Sequence, residues 1–151
     1  MKIAFGCDHA GFKFKETIIK HLKSRQHEVF DAGCLSPESC DYPDPAAAVA
    51  RAVSRGKCAK GILLCGTGAG MCMAANKVQG VRAAVCWNEE VAKLISEHNE
   101  ANVICLPARF ITQETMIKFI DVWIGTAFSG DERHLRRIKK VMNLEKTNSE
   151  Q

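Results

Sequence analysis

Apolar residues along this chain fall into short β-branched runs separated by stretches with helical spacing. KIAFGC at 2–7 predicts a strand. Positions 12–24, FKFKETIIKHLKS, put Phe12, Ile18, Ile19 and Leu22 largely on one face and predict a helix. EVFDAG at 28–33 predicts a second strand. A loop rich in Ser, Pro and Asp follows and ends in DYPDP. There Asp44 suits an N-cap and Pro45 the first helical position, before a helix through AAAVARAVSR. GILLCG (61–66), RAAVCW (82–87) and NVICLP (102–107) predict three more strands. Asn88 is placed to cap a helix over EEVAKLISEH. Positions 112–128 predict another helix and 131–145 a basic terminal one, with 146–151 expected to fray.

Five strands alternating with helices imply α/β architecture, a parallel sheet covered on both faces. Right-handed crossovers then favour a three-layer, doubly wound, Rossmann-like domain over 1–145, closed by the basic C-terminal helix. The expected strand order is 2-1-3-4-5, which sets the first and third strands side by side at a topological switch point. Asp8-His9-Ala10-Gly11 after the first strand would there face residues 65–70 after the third.

Composition narrows the function classes. The chain has 151 residues, 46% hydrophobic and 25% charged, with a formal net charge of +4. That balance fits an anionic small molecule and is too weak to argue for nucleic acid. No apolar run approaches the roughly 18 residues of a membrane span. Met1 leads straight into a strand-like stretch without a signal-peptide pattern, so a cytoplasmic protein is expected. The eight cysteines form no CxxC pair, and Cys7, Cys65, Cys86 and Cys105 fall in or at the ends of strand-like runs. Free thiols in a reducing cytosol are expected rather than disulfides.

The stretch LCGTGAGM at 64–71 carries the candidate chemistry. It is not a Walker A loop, and its GxGxG spacing after the third strand is not a dinucleotide fingerprint. A tight turn without a ligand remains one reading. The other is an anion site, because glycines let backbone N–H groups converge and the next helix presents its positive end. Cys65 lies at the lip of that loop, where such donors lower a thiol pKa and make it a base or a nucleophile. Cys72 in the next helix reads as packing, and Cys7, Cys86 and Cys105 as core.

Seven ordered motifs then converge: GCDHAGF (6–12), DYPD (41–44), CGTGAGM (65–71), AANK (74–77), RAAVC (82–86), HNEANV (98–103) and RHLRR (133–137). Together they resemble the ribose-5-phosphate isomerase type B family, which includes galactose-6-phosphate and allose-6-phosphate isomerases, over residues 1–142. The resemblance implies aldose–ketose isomerisation of a sugar phosphate without metal or cofactor. Cys65 would move the proton between C1 and C2. Gly66, Thr67, Gly68, Ala69 and Gly70 would cradle the enediolate, with the Thr67 hydroxyl assisting. Asp8 and His9 would contact the sugar and its phosphate, and Tyr42 would line the pocket. His98, next to Asn99, would be the acid that opens the furanose ring, and Arg109, Arg133 and Arg137 would grip the phosphate. Some family members carry a glutamate base where this chain has Met71, which leaves Cys65 as the loop's candidate. The lead into the arginine motif reads Gly130-Asp131-Glu132, with an extra residue and two carboxylates beside the clamp.

Topology adds a constraint. His98 and Asn99 end a helix that returns to the amino edge of the sheet, and a strand of about five residues spans roughly 17 Å. Either His98 is a helix-end residue favoured by the dipole, or it serves a neighbouring subunit. The family's arrangement favours sites shared across a two-fold homodimer, with a tetramer open. Arg133 and Arg137, four apart on a helix, share a face and can converge on one phosphate. Ribose 5-phosphate is the expected substrate, with a six-carbon sugar phosphate as the alternative. A low-molecular-weight thiol phosphatase is excluded, since Cys-x5-Arg needs an arginine at position 71. A flavodoxin-like phosphate-binding module stays as the non-enzymatic alternative. Neither nucleic acid nor a membrane is expected as a partner.

Overall fold

The structure, a computed structural model, describes residues 1–147. Five strands, β1 (Lys2–Cys7), β2 (Glu28–Asp31), β3 (Lys60–Cys65), β4 (Ala83–Val85) and β5 (Val103–Pro107), form one sheet. Six helices accompany them: α1 (Phe12–Ser24), α2 (Pro43–Ser54), α3 (Ala69–Ala75), α4 (Glu89–Glu97), α5 (Gln113–Gly125) and α6 (Glu132–Thr147). All four strand pairings are parallel, and helices cover both faces, as the alternation of elements requires.

The strand order differs from the expected one. It is β2-β1-β3-β5-β4, so β5 inserts between β3 and β4. The reason is burial on both faces. All five residues of β5 are buried, whereas the three of β4 are half-buried. A strand apolar on both sides gains most from a central place, and a short one belongs at the edge. β1, β3 and β5 therefore lie side by side, and their carboxyl ends meet.

Strand alternation divides the core. Ile62 and Leu64 of β3, with Ile104 and Leu106 of β5, face the layer that holds Ile18, Leu22, Met116 and Trp123. Leu63 and Cys65, with Val103 and Cys105, face Val49, Ala50 and Met71 of the α2/α3 layer. Trp123 is fully buried, and its Nε1–H donates to the Ala101 carbonyl at 3.2 Å.

Capping follows the sequence at α4, while at α5 Thr112, expected inside the helix, is its N-cap. Asn88 Oδ1 accepts from the Val91 N–H at 2.8 Å, and Thr112 Oγ1 from the Thr115 N–H at 3.3 Å. The helix α2 starts earlier than DYPDP suggests. Tyr42 is the N-cap and Pro43 the first helical residue, with the Ala46 N–H donating to the Tyr42 carbonyl at 3.3 Å. Either proline tolerates that position because it has no N–H to satisfy. Asp44 instead lies in the first turn, where its charge favours the dipole. The helix α6 continues through Thr147; of the tail expected to fray, positions 148–151 lie outside the described residues. Among the described residues no helix is long and apolar enough to cross a membrane.

Candidate active site

Three loops leave the carboxyl edge of the sheet and are stitched together one step beyond the strands. The Asp8 N–H donates to the Leu64 carbonyl (3.1 Å), the Ala108 N–H to Cys65 (2.9 Å) and the Arg109 N–H to Gly66 (3.1 Å). Asp8 is only 6% exposed, and its carboxylate accepts from the N–H groups of Ala10 (2.9 Å) and Gly11 (3.2 Å). That use fixes the turn carrying His9. The Nδ1 of His9 is buried without a partner among the described residues. His9, Lys13, Ala108, Arg109 and Thr112 line an open cavity of about 630 Å³. A polar ring atom without a partner, beside two cationic side chains, suits an anion that enters from solvent.

The glycine loop borders this edge. Gly68 has φ = +77°, a left-handed conformation that disfavours any Cβ. A Cβ on Gly70 would stand 2.8 Å from the Tyr42 ring, so Tyr42 rests directly on the loop. Arg109 reaches the other end, with side-chain atoms 3.4 Å from the position of a Cβ on Gly66. The Thr67 hydroxyl oxygen accepts from the Ala69 N–H at 3.3 Å.

The thiol of Cys65 does not lie open at the mouth of the loop as the sequence suggests. Cys65 is 4% exposed and packs in the α2/α3 layer with Leu63, Met71 and Cys105. The alternation of β3 sends its side chain under the loop rather than out over it. The core reading of the other strand cysteines holds. Burial pushes the Cys7 thiol up and that of Cys86 to about 11. A hydrogen bond with Cys72 and then burial push Cys105 up. Cys72 packs against the α2/α3 core as expected and also hydrogen-bonds to its neighbours. The Cys105 thiol, against the opposing effect of burial, holds the Cys72 thiol below its ordinary value, helped by the Val85 backbone and Asn76. Asn76 Nδ2 lies 3.5 Å from the Cys72 sulfur and donates to the Ala83 carbonyl at 2.9 Å.

A second cluster forms at the amino edge. His98 is the C-cap of α4, and its ring lies 4.2 Å from that of His134. His134 is 4% exposed, with Ser129 Oγ 3.1 Å from its Nδ1 and the Arg133 Nε–H donating to its Nε2 at 3.2 Å. Burial first, and the neighbouring His98 next, push its imidazole below the ordinary histidine value. Asp131 does face the arginine motif: it accepts from the Arg133 N–H at 2.9 Å and lies 3.7 Å from Arg133 Nε. Asn99, Arg137, Asn76 and Arg82 line a groove of about 310 Å³. The Arg82 guanidinium donates to the carbonyls of Asn99 (3.1 Å) and Glu100 (2.6 Å), which fastens the end of α4.

Residues 3–141 match the Ribose/Galactose Isomerase family. The chain belongs to that family. It is 44% identical over 144 residues to ribose-5-phosphate isomerase B of Escherichia coli, covering 95% of this chain and 96% of the relative. Among solved structures, ribose-5-phosphate isomerase B of Clostridium thermocellum superposes with a TM-score of 0.95 at 44% identity, covering 98% of this chain and 99% of that one. The Mycoplasma genitalium ribose-5-phosphate isomerase B with bound ribulose-5-phosphate gives 0.92 at 44% identity, covering 96% of each chain.

For this member of the ribose/galactose isomerase family, the residues singled out in the sequence fall into two groups. Asp8, His9, Tyr42, Cys65, residues 66–70 and Arg109 gather at the carboxyl edge. His98, Asn99, Arg133 and Arg137 gather at the amino edge. Gly61 pairs with Val103 there, while Cys65 pairs with Pro107 at the far end. Four residue rises separate those pairs, about 13 Å. Sequence inspection passed over His134, since a histidine among arginines on a basic helix reads as part of a solvated face. Its one signal was its place inside RHLRR. Lys13 was passed over too, as an ordinary surface position of an amphipathic helix.

Proposed function

We propose that this chain interconverts ribose 5-phosphate and ribulose 5-phosphate through an enediolate. The observation that carries the proposal is the meeting of three loops at one edge, with the unpartnered His9 Nδ1 and Arg109 lining one open cavity beside the glycine loop. His9 and Arg109 take the phosphate, a charge-assisted contact for a dianion. The N–H groups of residues 66–70 then face the reacting end of the opened sugar.

In this mechanism Cys65, as thiolate, takes the proton from C2 of the aldehyde. The electron pair forms the C1–C2 double bond, and the aldehyde oxygen becomes the enolate oxygen held by the loop amides, with Thr67 beside them. The same sulfur returns the proton to C1. The hydroxyl on C2 passes its proton to the enolate oxygen on C1 as the new carbonyl forms, so C1 ends as a hydroxymethyl group. Packing around Cys65 keeps water from the proton in transit.

Ring opening requires an acid, and His98 lies at the wrong edge to serve its own chain. We therefore assign His98, Asn99, Arg133 and Arg137 to the site of a second copy, in a two-fold homodimer with shared sites. The eight free cysteines fit a cytoplasmic setting. The test is turnover of ribose 5-phosphate, allose 6-phosphate and galactose 6-phosphate by the wild type and by Cys65→Ala. Ribose 5-phosphate should turn over fastest, and the variant should lose it. Faster turnover of a hexose phosphate would transfer the assignment to the six-carbon substrate.

A further inference from the structure

We infer that Cys34 and Cys7 form a reversible disulfide on oxidation, a modification site next to the substrate site. β1 ends at Cys7, one residue before Asp8. The loop after β2 is stitched to it, with the Cys34 N–H donating to the Cys7 carbonyl at 3.0 Å. The two sulfurs lie 3.9 Å apart. A disulfide needs about 2.05 Å, so the pair must close by roughly 2 Å. The intervening residue leaves room for this contact: a Cβ on Gly33 would stand 2.8 Å from the Cys7 sulfur.

The two thiols differ in access. Cys7 is fully buried and Cys34 half-buried, so oxidant meets Cys34 first and Cys7 resolves it. Lys15 Nζ donates to the carbonyls of Cys34 (3.0 Å) and Gly33 (3.4 Å) and pairs with Asp31 at 2.8 Å, so its ammonium holds this loop. Burial raises both thiols and the Lys15 charge opposes it, which makes the pair slow to oxidise under reducing conditions.

With a peroxide as oxidant, the Cys34 thiolate attacks one peroxide oxygen. The O–O bond breaks, leaving a sulfenic acid on Cys34 and releasing water. Cys7 sulfur then displaces the sulfenic hydroxyl as a second water, and the S–S bond forms. Two thiols are oxidised and one peroxide is reduced to two waters. The bridge draws the end of β1 towards the loop that continues to Tyr42, and so strains the turn holding Asp8 and His9. That effect on turnover rests on the site assigned under the proposed function.

The test treats the intact protein with graded hydrogen peroxide, alkylates the remaining free thiols and maps linked peptides by mass. A Cys7–Cys34 linked pair is expected, lighter by two hydrogens and reopened by dithiothreitol. Cys34→Ser should abolish it, and Cys40→Ser should retain it. A dominant Cys34–Cys40 link, or stable over-oxidation of Cys34 without a link, overturns the pairing. Turnover of ribose 5-phosphate should fall at least fivefold in linked protein and return on reduction. Unchanged turnover in fully linked protein overturns the coupling to the site. Absence of turnover before oxidation counts against the isomerase assignment instead, and the mass map alone decides the disulfide.

Discussion

The rings of His98 and His134 lie 4.2 Å apart and tilted by 41°, at the sheet edge opposite the glycine loop. His134 is held from both sides, by Ser129 at Nδ1 and by the Arg133 Nε–H at Nε2. A ring that accepts at Nε2 is neutral, so His134 packs against His98 without carrying a charge of its own.

This neutrality gives stability a pH dependence. The imidazole of His134 lies below the ordinary value of 6.5 in the folded chain. The unfolded chain therefore takes up the proton first. The stabilisation is present above pH 6.5 and is lost as pH falls through the lower folded value. Melting temperature should drop between pH 7 and 5, less steeply in His134→Gln than in the wild type. Equal slopes by calorimetry would contradict this.

Shared sites predict recovery by mixing. Cys65→Ala and His98→Ala protomers should each be inactive alone. After subunit exchange, random pairing makes half the dimers mixed, each with one intact site of two. Activity should recover to about one quarter of wild type. No recovery after exchange is demonstrated by mass spectrometry would argue against sites built in trans.

Cys65→Ala tests the base directly. Loss of a positioned base costs about 10²–10⁴ in rate. The fold should survive, because removing one buried sulfur costs on the order of 1 kcal/mol and lowers the melting temperature by roughly 2–4 °C. A kcat near wild type would remove Cys65 from the mechanism.

Gly70→Ala tests the contact with Tyr42. Its Cβ would stand 2.8 Å from the ring, and Tyr42, 41% exposed, has room to swing away. We expect KM for ribose 5-phosphate to rise severalfold with little change in melting temperature. In a Tyr42→Ala background the same substitution should add little. Additive effects would show that Tyr42 and the loop act separately.

Arg109→Ala should weaken phosphate binding. A charge-assisted hydrogen bond contributes about 1.5–3 kcal/mol, so KM should rise roughly tenfold or more while kcat changes less. Steady-state kinetics on ribose 5-phosphate would separate the two. A fall in kcat alone would place Arg109 at the reacting carbons instead.

Much of this protein was legible in its local patterns. Short continuous apolar runs located the strands and period-3.6 spacing the helices, and Asn88 capped the helix it was expected to cap. The glycine loop was legible because close backbone approach demands glycine, and the place of His9 and Arg109 at the same edge followed from the strands they succeed. The separation of His98 from Cys65 was legible too, since a helix joining parallel strands must cross to the other edge.

The rest was not local. The place of β5 between β3 and β4 depends on which strand gains more from burial on two faces, and both runs are apolar in sequence. The cover over Cys65 depends on Met71 and Cys105 packing from other elements. The pairing of His98 with His134 and the near-contact of Cys7 with Cys34 join residues 36 and 27 positions apart in sequence. The sequence by itself determined the elements, the class of fold and the residue types at each strand end, because those follow from spacing and side-chain chemistry within a few residues. Only the tertiary structure decided neighbours and exposure, because burial is a property of what packs across the gap.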